Sequence, residues 1–253
     1  MKISNPRPEF TPKLRYLWQE AFADTDEFLD MFFTTAFSTK RAICITENDE
    51  VLAALYWFDC TCQSRKIAYI YAVATSKKYR CKGLCRKLME STHTHLAQNN
   101  YCAAILVPGS KGLFDMYEKL GYKTCAYVNE FTAEASEETT ELVPITKEEF
   151  AALRKNHLPE NAVVQEGENL DFLNAYAKFY KGGDFIFVCY KDGQKLFVPE
   201  ILGSTDKACS IVNTLECKSG FFRTSGDSRP FSMCYDLSDG DFDFPEYFGL
   251  AFD

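Results

Sequence analysis

A short basic loop, Arg80, Cys81, Lys82 and Gly83, lies between an apolar run and a leucine-spaced helix. From Ile67 to Glu90 the chain reads as a strand, a glycine-bearing loop and a helix start. That order builds an anion site. The first helical turn has N–H groups with no intrahelical partner, and the helix dipole adds partial positive charge. Gly83 lacks a Cβ, so the backbone there can approach a ligand closely. Arg80, Lys82, Arg86 and Lys87 add fixed charge. The chemistry this suits is the grip of a phosphate ester. The plain alternative is a surface junction with solvated basic residues. The chain has no GxxxxGK[ST], which excludes a nucleoside triphosphatase loop, and no GxGxxG, which leaves a dinucleotide fold little support.

The loop reads Val73, Ala74, Thr75, three residues, Tyr79, Arg80, two residues, Gly83. A second motif follows at Leu113–Tyr122, ending Tyr117, Glu118, Lys119, Leu120, Gly121, Tyr122. A strand over Tyr101–Val107 and a turn at Pro108 and Gly109 precede it. A helix closed by glycine is common by itself. Loop, strand and this helix end, in order, resemble the GCN5-related N-acetyltransferase (GNAT) family, over about residues 10 to 132. In that family Arg or Gln, two residues, Gly, one residue, then Gly or Ala wrap the pyrophosphate of acetyl-CoA. Here Cys85 stands for the final small residue.

The resemblance implies a fold and a set of roles. The fold is an α+β sandwich, a mixed and mostly antiparallel sheet flanked by helices. Backbone groups of Ala72, Val73 and Ala74 would pair with the pantetheine arm, and a bulge there would aim an N–H at the thioester oxygen. Arg80, Cys81, Lys82, Gly83, Leu84 and Cys85 would hold the pyrophosphate. Tyr117 matches the family's general acid; a phenol with a pKa near 10 is protonated at pH 7. The plain reading of Tyr117 is aromatic packing.

The base is less defined. The sequence ends in an aromatic run, Pro245 to Asp253, with Phe248, Leu250 and Phe252, and such an end tends to dock. In tandem acetyltransferases of the enhanced-intracellular-survival type, the terminal carboxylate accepts the amine's proton. That resemblance implies the same role for Asp253; the alternative is that the tail only packs. Glu130 and Asp59 are weaker candidates, and attack by a desolvated amine without a base stays open. Those tandem proteins also carry a sterol-carrier-like domain, for which 253 residues leave no room.

Composition narrows the rest. Eleven cysteines without CxxC spacing, and an N-terminus lacking a secretory apolar core, suggest free thiols in a reducing cytosol. No apolar stretch is long enough to span a membrane. Cys81, Cys85, His93 and His95 are too dispersed to converge on a metal, so none is expected. Residues 1–135 hold 17 basic and 15 acidic residues, a net of +2; the rest hold 11 and 21, a net of −10, giving the total of −8. That balance argues against nucleic acid.

The elements that position the loop follow from periodicity. Helices are predicted from Thr11 and over Asp26–Phe37, then strands at Arg41–Thr46, Val51–Asp59 and Lys66–Ala74. Asp24, Asp26, Glu27 and Asp30 either attract a cationic amine or simply solvate a helix start. Thr124–Ala133 is expected to complete the sheet as a hairpin. A polar stretch over residues 133–142 suggests a boundary, with a GNAT domain over 1–135 and a second domain over 136–253. There, Thr146 and Glu149 predict a capped helix and Leu170–Phe179 another. Strands at Phe185–Tyr190 and Lys195–Leu202 flank Asp192 and Gly193, with a bulge or edge at Pro199. A helix over Asp206–Leu215 and a strand over Phe221–Thr224 then repeat the first half's order. The counterpart of the basic loop, Leu202 to Lys207, lacks Arg-x-x-Gly. The expectation is a degenerate GNAT-like domain, with an unrelated α+β domain as alternative.

The function expected is acetyl-CoA-dependent N-acetylation of a small cationic amine. Acetylation of a protein or peptide amine, and a non-catalytic acyl-CoA-binding module, are the alternatives. Monomer and homo-oligomer remain equally open.

Overall fold

A computed structural model describes residues 1–252. They divide into two compact units. The first comprises Met1–Leu106, Phe114–Lys123 and Cys234–Asp243; the second comprises Val107–Leu113, Thr124–Met233 and the segment from Phe244 onward.

The first unit runs β1 (Lys2–Ser4), α1 (Thr11–Phe22), α2 (Asp26–Thr35), β2 (Ala42–Glu47), β3 (Glu50–Cys62), β4 (Arg65–Thr75), α3 (Leu84–Gln98), β5 (Ala103–Leu106) and α4 (Lys111–Glu118), the last beginning in residues of the second unit. Strands β1 to β4 form an antiparallel meander, and β5 adds in parallel to β4. Tight turns close the hairpins. Asn48 and Asp49, and then Gln63 and Ser64, take positive φ, as two-residue turns between twisted strands require. The alternation of β3 sends Tyr56 to one face and Trp57 to the other. Tyr56 meets Trp18 of α1 at 5.2 Å and Phe32 of α2 at 5.3 Å; Trp57 meets His95 of α3 at 5.7 Å. Helices therefore cover both faces, and β3 is apolar almost throughout. This is the mixed, helix-flanked sheet expected.

The second unit contains β6 (Lys123–Glu134), β7 (Val143–Ile145), α5 (Lys147–His157), β8 (Val164–Gln165), α6 (Glu168–Asn174), β9 (Lys178–Lys181), β10 (Phe185–Asp192), β11 (Lys195–Gly203), α7 (Ala208–Thr214), β12 (Ser219–Ser225) and β13 (Arg229–Asp236), whose last residues belong to the first unit. Its strands lie in the order β6, β12, β11, β10, β9, β7. Phe187, Val198, Ile201, Ile211 and Phe222 form its core. Thr146 and Glu149 make the predicted capping box on α5. Gly193, at φ 56°, turns β10 into β11, and the register slips at Val198 and Pro199, the bulge expected at the proline.

Two expectations change. Leu170–Phe179 is not one helix: it stops at Asn174, and Phe179 pairs with Val188 as part of β9. Strand pairing with β10 outweighs a helical spacing that is apolar in either state. The strand from Thr124 forms no local hairpin; β6 pairs antiparallel with β12, Asn129 opposite Thr224.

Candidate active site

The opening in the first sheet is made by β4. Its parallel register with β5 covers Ile67 to Tyr69. Beyond it, Ala54 pairs with Ala74 but Tyr56 pairs with Tyr71, so Ala72 and Val73 together face Leu55. This is a bulge, and Ala72 takes φ 47° within it. A residue with a Cβ rarely adopts that conformation, which costs about 1–3 kcal/mol and persists where surrounding structure enforces it. The pairing of β4 with β5 ends at Tyr69, short of the bulge, and a bulge locally disrupts the ladder, so this stretch of edge suits an extended ligand. Ala72 and Val73 are half-buried and Ala74 is buried.

After Thr75 the chain makes a 3-10 turn over Lys77–Tyr79, and Gly83 then opens α3. Cys81 (φ 60°) and Gly83 (φ 75°) are both left-handed, a geometry that curls successive N–H groups inward toward an anion. No side chain caps the helix start. The first turn is thus left to a ligand. The loop is held from behind. Lys77 N–H donates to Glu20 Oε2 of α1 at 2.8 Å, Ser76 N–H to Leu52 O at 2.9 Å, and Arg80 Nε to Thr75 O at 3.1 Å. The Lys82 ammonium lies 5.0 Å from the Tyr79 ring. Arg80, Cys81, Lys82 and Gly83 are exposed. Leu84 is buried, so only its backbone can face a ligand. Cys85 is half-buried, and burial pushes its thiol pKa up, keeping it neutral.

Tyr117 ends α4. Gly121, at φ 93°, closes the helix: Gly121 N–H donates to Glu118 O at 2.9 Å and Tyr122 N–H to Tyr117 O at 3.1 Å. This paired closure fixes the Tyr117 backbone and explains the glycine of the motif. The ring is buried, and burial, then the neighbouring Cys85, pushes its pKa well above 10. Among the described residues, none is hydrogen-bonded to its hydroxyl. A protonated phenol with an uncommitted O–H suits donation to a leaving sulfur.

Behind Tyr117 sits a polar pair that sequence reasoning missed. The Tyr122 hydroxyl and His93 Nε2 lie 2.8 Å apart, both buried. Burial lowers the His93 pKa from 6.5 to about 4, so the imidazole is neutral. The available signal was Tyr122 itself, whose hydroxyl needs a partner once buried. Cys81, Cys85, His93 and His95 do not converge, and among the described residues no group of three or more potential ligands exists for a metal.

The base candidates fare differently. Asp253 lies outside the described residues. The segment before it docks on the second unit: Gln165 Nε2 donates to Leu250 O at 2.6 Å, and Phe248, Leu250 and Phe252 are buried. Glu130 is held by Arg223 at 3.1 Å and by Arg229. Asp59 accepts from the Tyr101 hydroxyl and faces Lys66 at 3.7 Å. Around α2, Asp24 accepts from Trp18 Nε1 at 2.7 Å, while Asp26 and Asp30 face Arg15 at 3.7 and 2.8 Å.

A bulged strand, an uncapped helix start and a phenol at a glycine-closed helix end lie within one unit of the fold. The family model for the acetyltransferase (GNAT) domain matches residues 2–125. Residues 2–125 thus match a GNAT acetyltransferase domain, of a family that uses acetyl-CoA. Its fold is similar to a GCN5-related N-acetyltransferase from Anabaena variabilis (15% identity, TM-score 0.74, covering 93% of this chain and 72% of that one). It is also similar to Eis1 from Mycobacterium abscessus (11% identity, TM-score 0.64, 94% and 74%) and to an acetyltransferase from Pyrococcus horikoshii described as putative (11% identity, TM-score 0.65, 98% and 92%). No curated protein matches the sequence. No helix among the described residues is long and apolar enough to cross a membrane.

Proposed function

We propose that this chain transfers the acetyl group of acetyl-CoA to the primary amine of a small cationic molecule, by direct attack on the thioester. The observation that carries the reading is the bulge at Ala72 and Val73, in the same unit as the Gly83 loop and Tyr117. The pantetheine arm extends the open edge of β4, using backbone groups of Ala72, Val73 and Ala74. Arg80 to Cys85 receive the pyrophosphate. An N–H at the bulge polarises the thioester carbonyl. The neutral amine attacks the carbonyl carbon. The C–N bond forms, the C–S bond breaks, and the sulfur takes up a proton from Tyr117. The dry surroundings that raise the phenol's pKa also raise the proton affinity of the sulfur. The amine's surplus proton leaves to a base, for which Asp253 remains the candidate, and Tyr117 is reprotonated from solvent.

The cationic preference draws support from Asp24, Asp26, Glu27 and Asp30, four carboxylates near the start of α2. Of the bases, Arg15 pairs with Asp26 and Asp30. The domains proposed are 1–135 for the active GNAT domain and 136–253 for a degenerate GNAT-like one, a tandem similar to the enhanced-intracellular-survival type. Support comes from β10, β11, α7 and β12, which repeat the order of β3, β4, α3 and β5, including a bulge in the second strand, here at the end of its parallel pairing. Eleven free cysteines support a reducing, cytoplasmic setting.

The test is Tyr117→Phe, with thiol release from acetyl-CoA measured over a panel of small diamines, polyamines and peptides. Turnover falls about a hundredfold, while CoA affinity falls by no more than about tenfold, the share of the single contact to sulfur. Equal turnover in the variant sinks the acid role, and a protein without CoA affinity sinks the reading. Deleting the last two residues probes Asp253: unchanged turnover rejects it as base.

A further inference from the structure

We propose that His93 is a positioning residue for Tyr117, acting through Tyr122; this rests on the reading of Tyr117 as the proton donor to sulfur. Among the described residues no hydrogen bond fixes the Tyr117 hydroxyl, so its aim depends on what the ring leans against. That surface is Tyr122, with ring centroids 5.6 Å apart and planes at 64°. Tyr122 is fixed at both ends. Its N–H is bonded to Tyr117 O in the helix closure, and its hydroxyl sits 2.8 Å from His93 Nε2. His93 in turn stacks on Tyr235 at 3.9 Å and 16°, and Tyr235 lies 5.5 Å from Tyr122. Three rings therefore form a rigid backstop for the fourth.

Packing alone does not call for this pair. Phenylalanine at 122 with an apolar residue at 93 would fill similar volume without burying two polar groups. What the polar pair adds is direction, since a hydrogen bond fixes where Tyr122 stands along the helix axis and packing does so less sharply. His93 also belongs to α3, the helix that Gly83 opens. The same helix thus presents the loop assigned to the pyrophosphate and the residue that backs the ring assigned to the sulfur. Cys85, on the first turn of α3, lies near enough to influence Tyr117 as well. One rigid element thereby sets the span between the two ends of the coenzyme.

The test needs no acceptor amine. CoA and desulfo-CoA differ by the sulfur alone, so the ratio of their affinities, measured by titration calorimetry, reads the contact between Tyr117 and that atom. The wild type is expected to favour CoA by about tenfold, the upper end of what one net hydrogen bond together with the sulfur's packing contributes. Tyr117→Phe abolishes the preference. His93→Phe reduces it at least threefold, His93→Gln restores it by supplying a new partner for Tyr122, and His93→Phe changes nothing further on a Tyr117→Phe background. If His93→Phe fails to fold, Tyr122→Phe, which removes one oxygen, is expected to give the same reduction. A full preference in folded His93→Phe or Tyr122→Phe, with loss only in Tyr117→Phe, overturns the positioning role and leaves the acid intact. No preference in the wild type removes both.

Discussion

Gly121 and Tyr235 approach so closely that no side chain fits between them: a Cβ on Gly121 would lie 2.9 Å from Tyr235 Cε2. Gly121 also holds φ 93° while its own N–H donates to Glu118 O and that of Tyr122 donates to Tyr117 O. Gly121→Ala therefore meets a steric and a conformational penalty together. It is expected to lose about 1–3 kcal/mol in urea unfolding and to lower turnover, because the same closure carries the Tyr117 backbone. A change within about 0.5 kcal/mol would contradict this.

The basic loop yields a binding prediction. Arg80→Ala and Lys82→Ala should each raise KM for acetyl-CoA about tenfold, with kcat within about twofold, since the proposed binding mode puts both groups against only the distal part of the coenzyme. Both side chains are exposed, so the effect should shrink as salt is raised. A salt-independent KM, or a loss confined to kcat, would place the pyrophosphate elsewhere.

What the sequence revealed and what it hid divide along local and long-range lines. Thr146 and Glu149 announce their helix because a capping box is built from neighbours. Gly83 and Gly121 announce theirs because only glycine takes those φ values without strain. The partner of β6 was hidden: Phe131 opposite Phe222 is a pairing no turn residue encodes. Strand β13 was missed because Pro230 and Ser232 interrupt its apolar pattern. The left-handed Ala72 was equally invisible, since alanine has no preference for that region. His93 drew attention only as a possible ligand. Its true partner, Tyr122, comes from a helix closure some thirty positions on.

His93 gives a stability profile with a definite sign. Its folded pKa is about 4, below the 6.5 it takes when unfolded. The unfolded chain therefore binds more protons between those values, and stability is lost as pH falls from 6.5 to 4. The full effect is on the order of 3 kcal/mol. His93→Gln should lose less stability than wild type over that window in denaturant titrations. Parallel curves for the two proteins would count against a buried neutral imidazole.

In the second unit, Arg154 Nε donates to Glu200 Oε2 at 2.6 Å and Arg154 Nη2 to Oε1 at 2.9 Å, with both side chains buried. The Tyr247 hydroxyl also donates to Glu200 Oε1, at 3.0 Å. Glu200→Leu leaves a buried guanidinium without its counter-charge and should cost about 3–5 kcal/mol. Adding Arg154→Met should recover most of that loss. Thermal unfolding of the single and double variants decides it; equal destabilisation of both would mean the loss comes from packing.

The slip in β11 has a bearing on what the second unit can ever do. Val198 and Pro199 occupy the place that Ala72 and Val73 take in β4, each pair opposite a single residue. Proline has no amide hydrogen. A designer who transplanted the arginine–glycine segment onto Leu202 to Lys207 would supply a handle for the nucleotide, yet the kink would still lack one of the two donors available for steadying a tetrahedral oxyanion. Such a hybrid would sequester coenzyme and leave it intact.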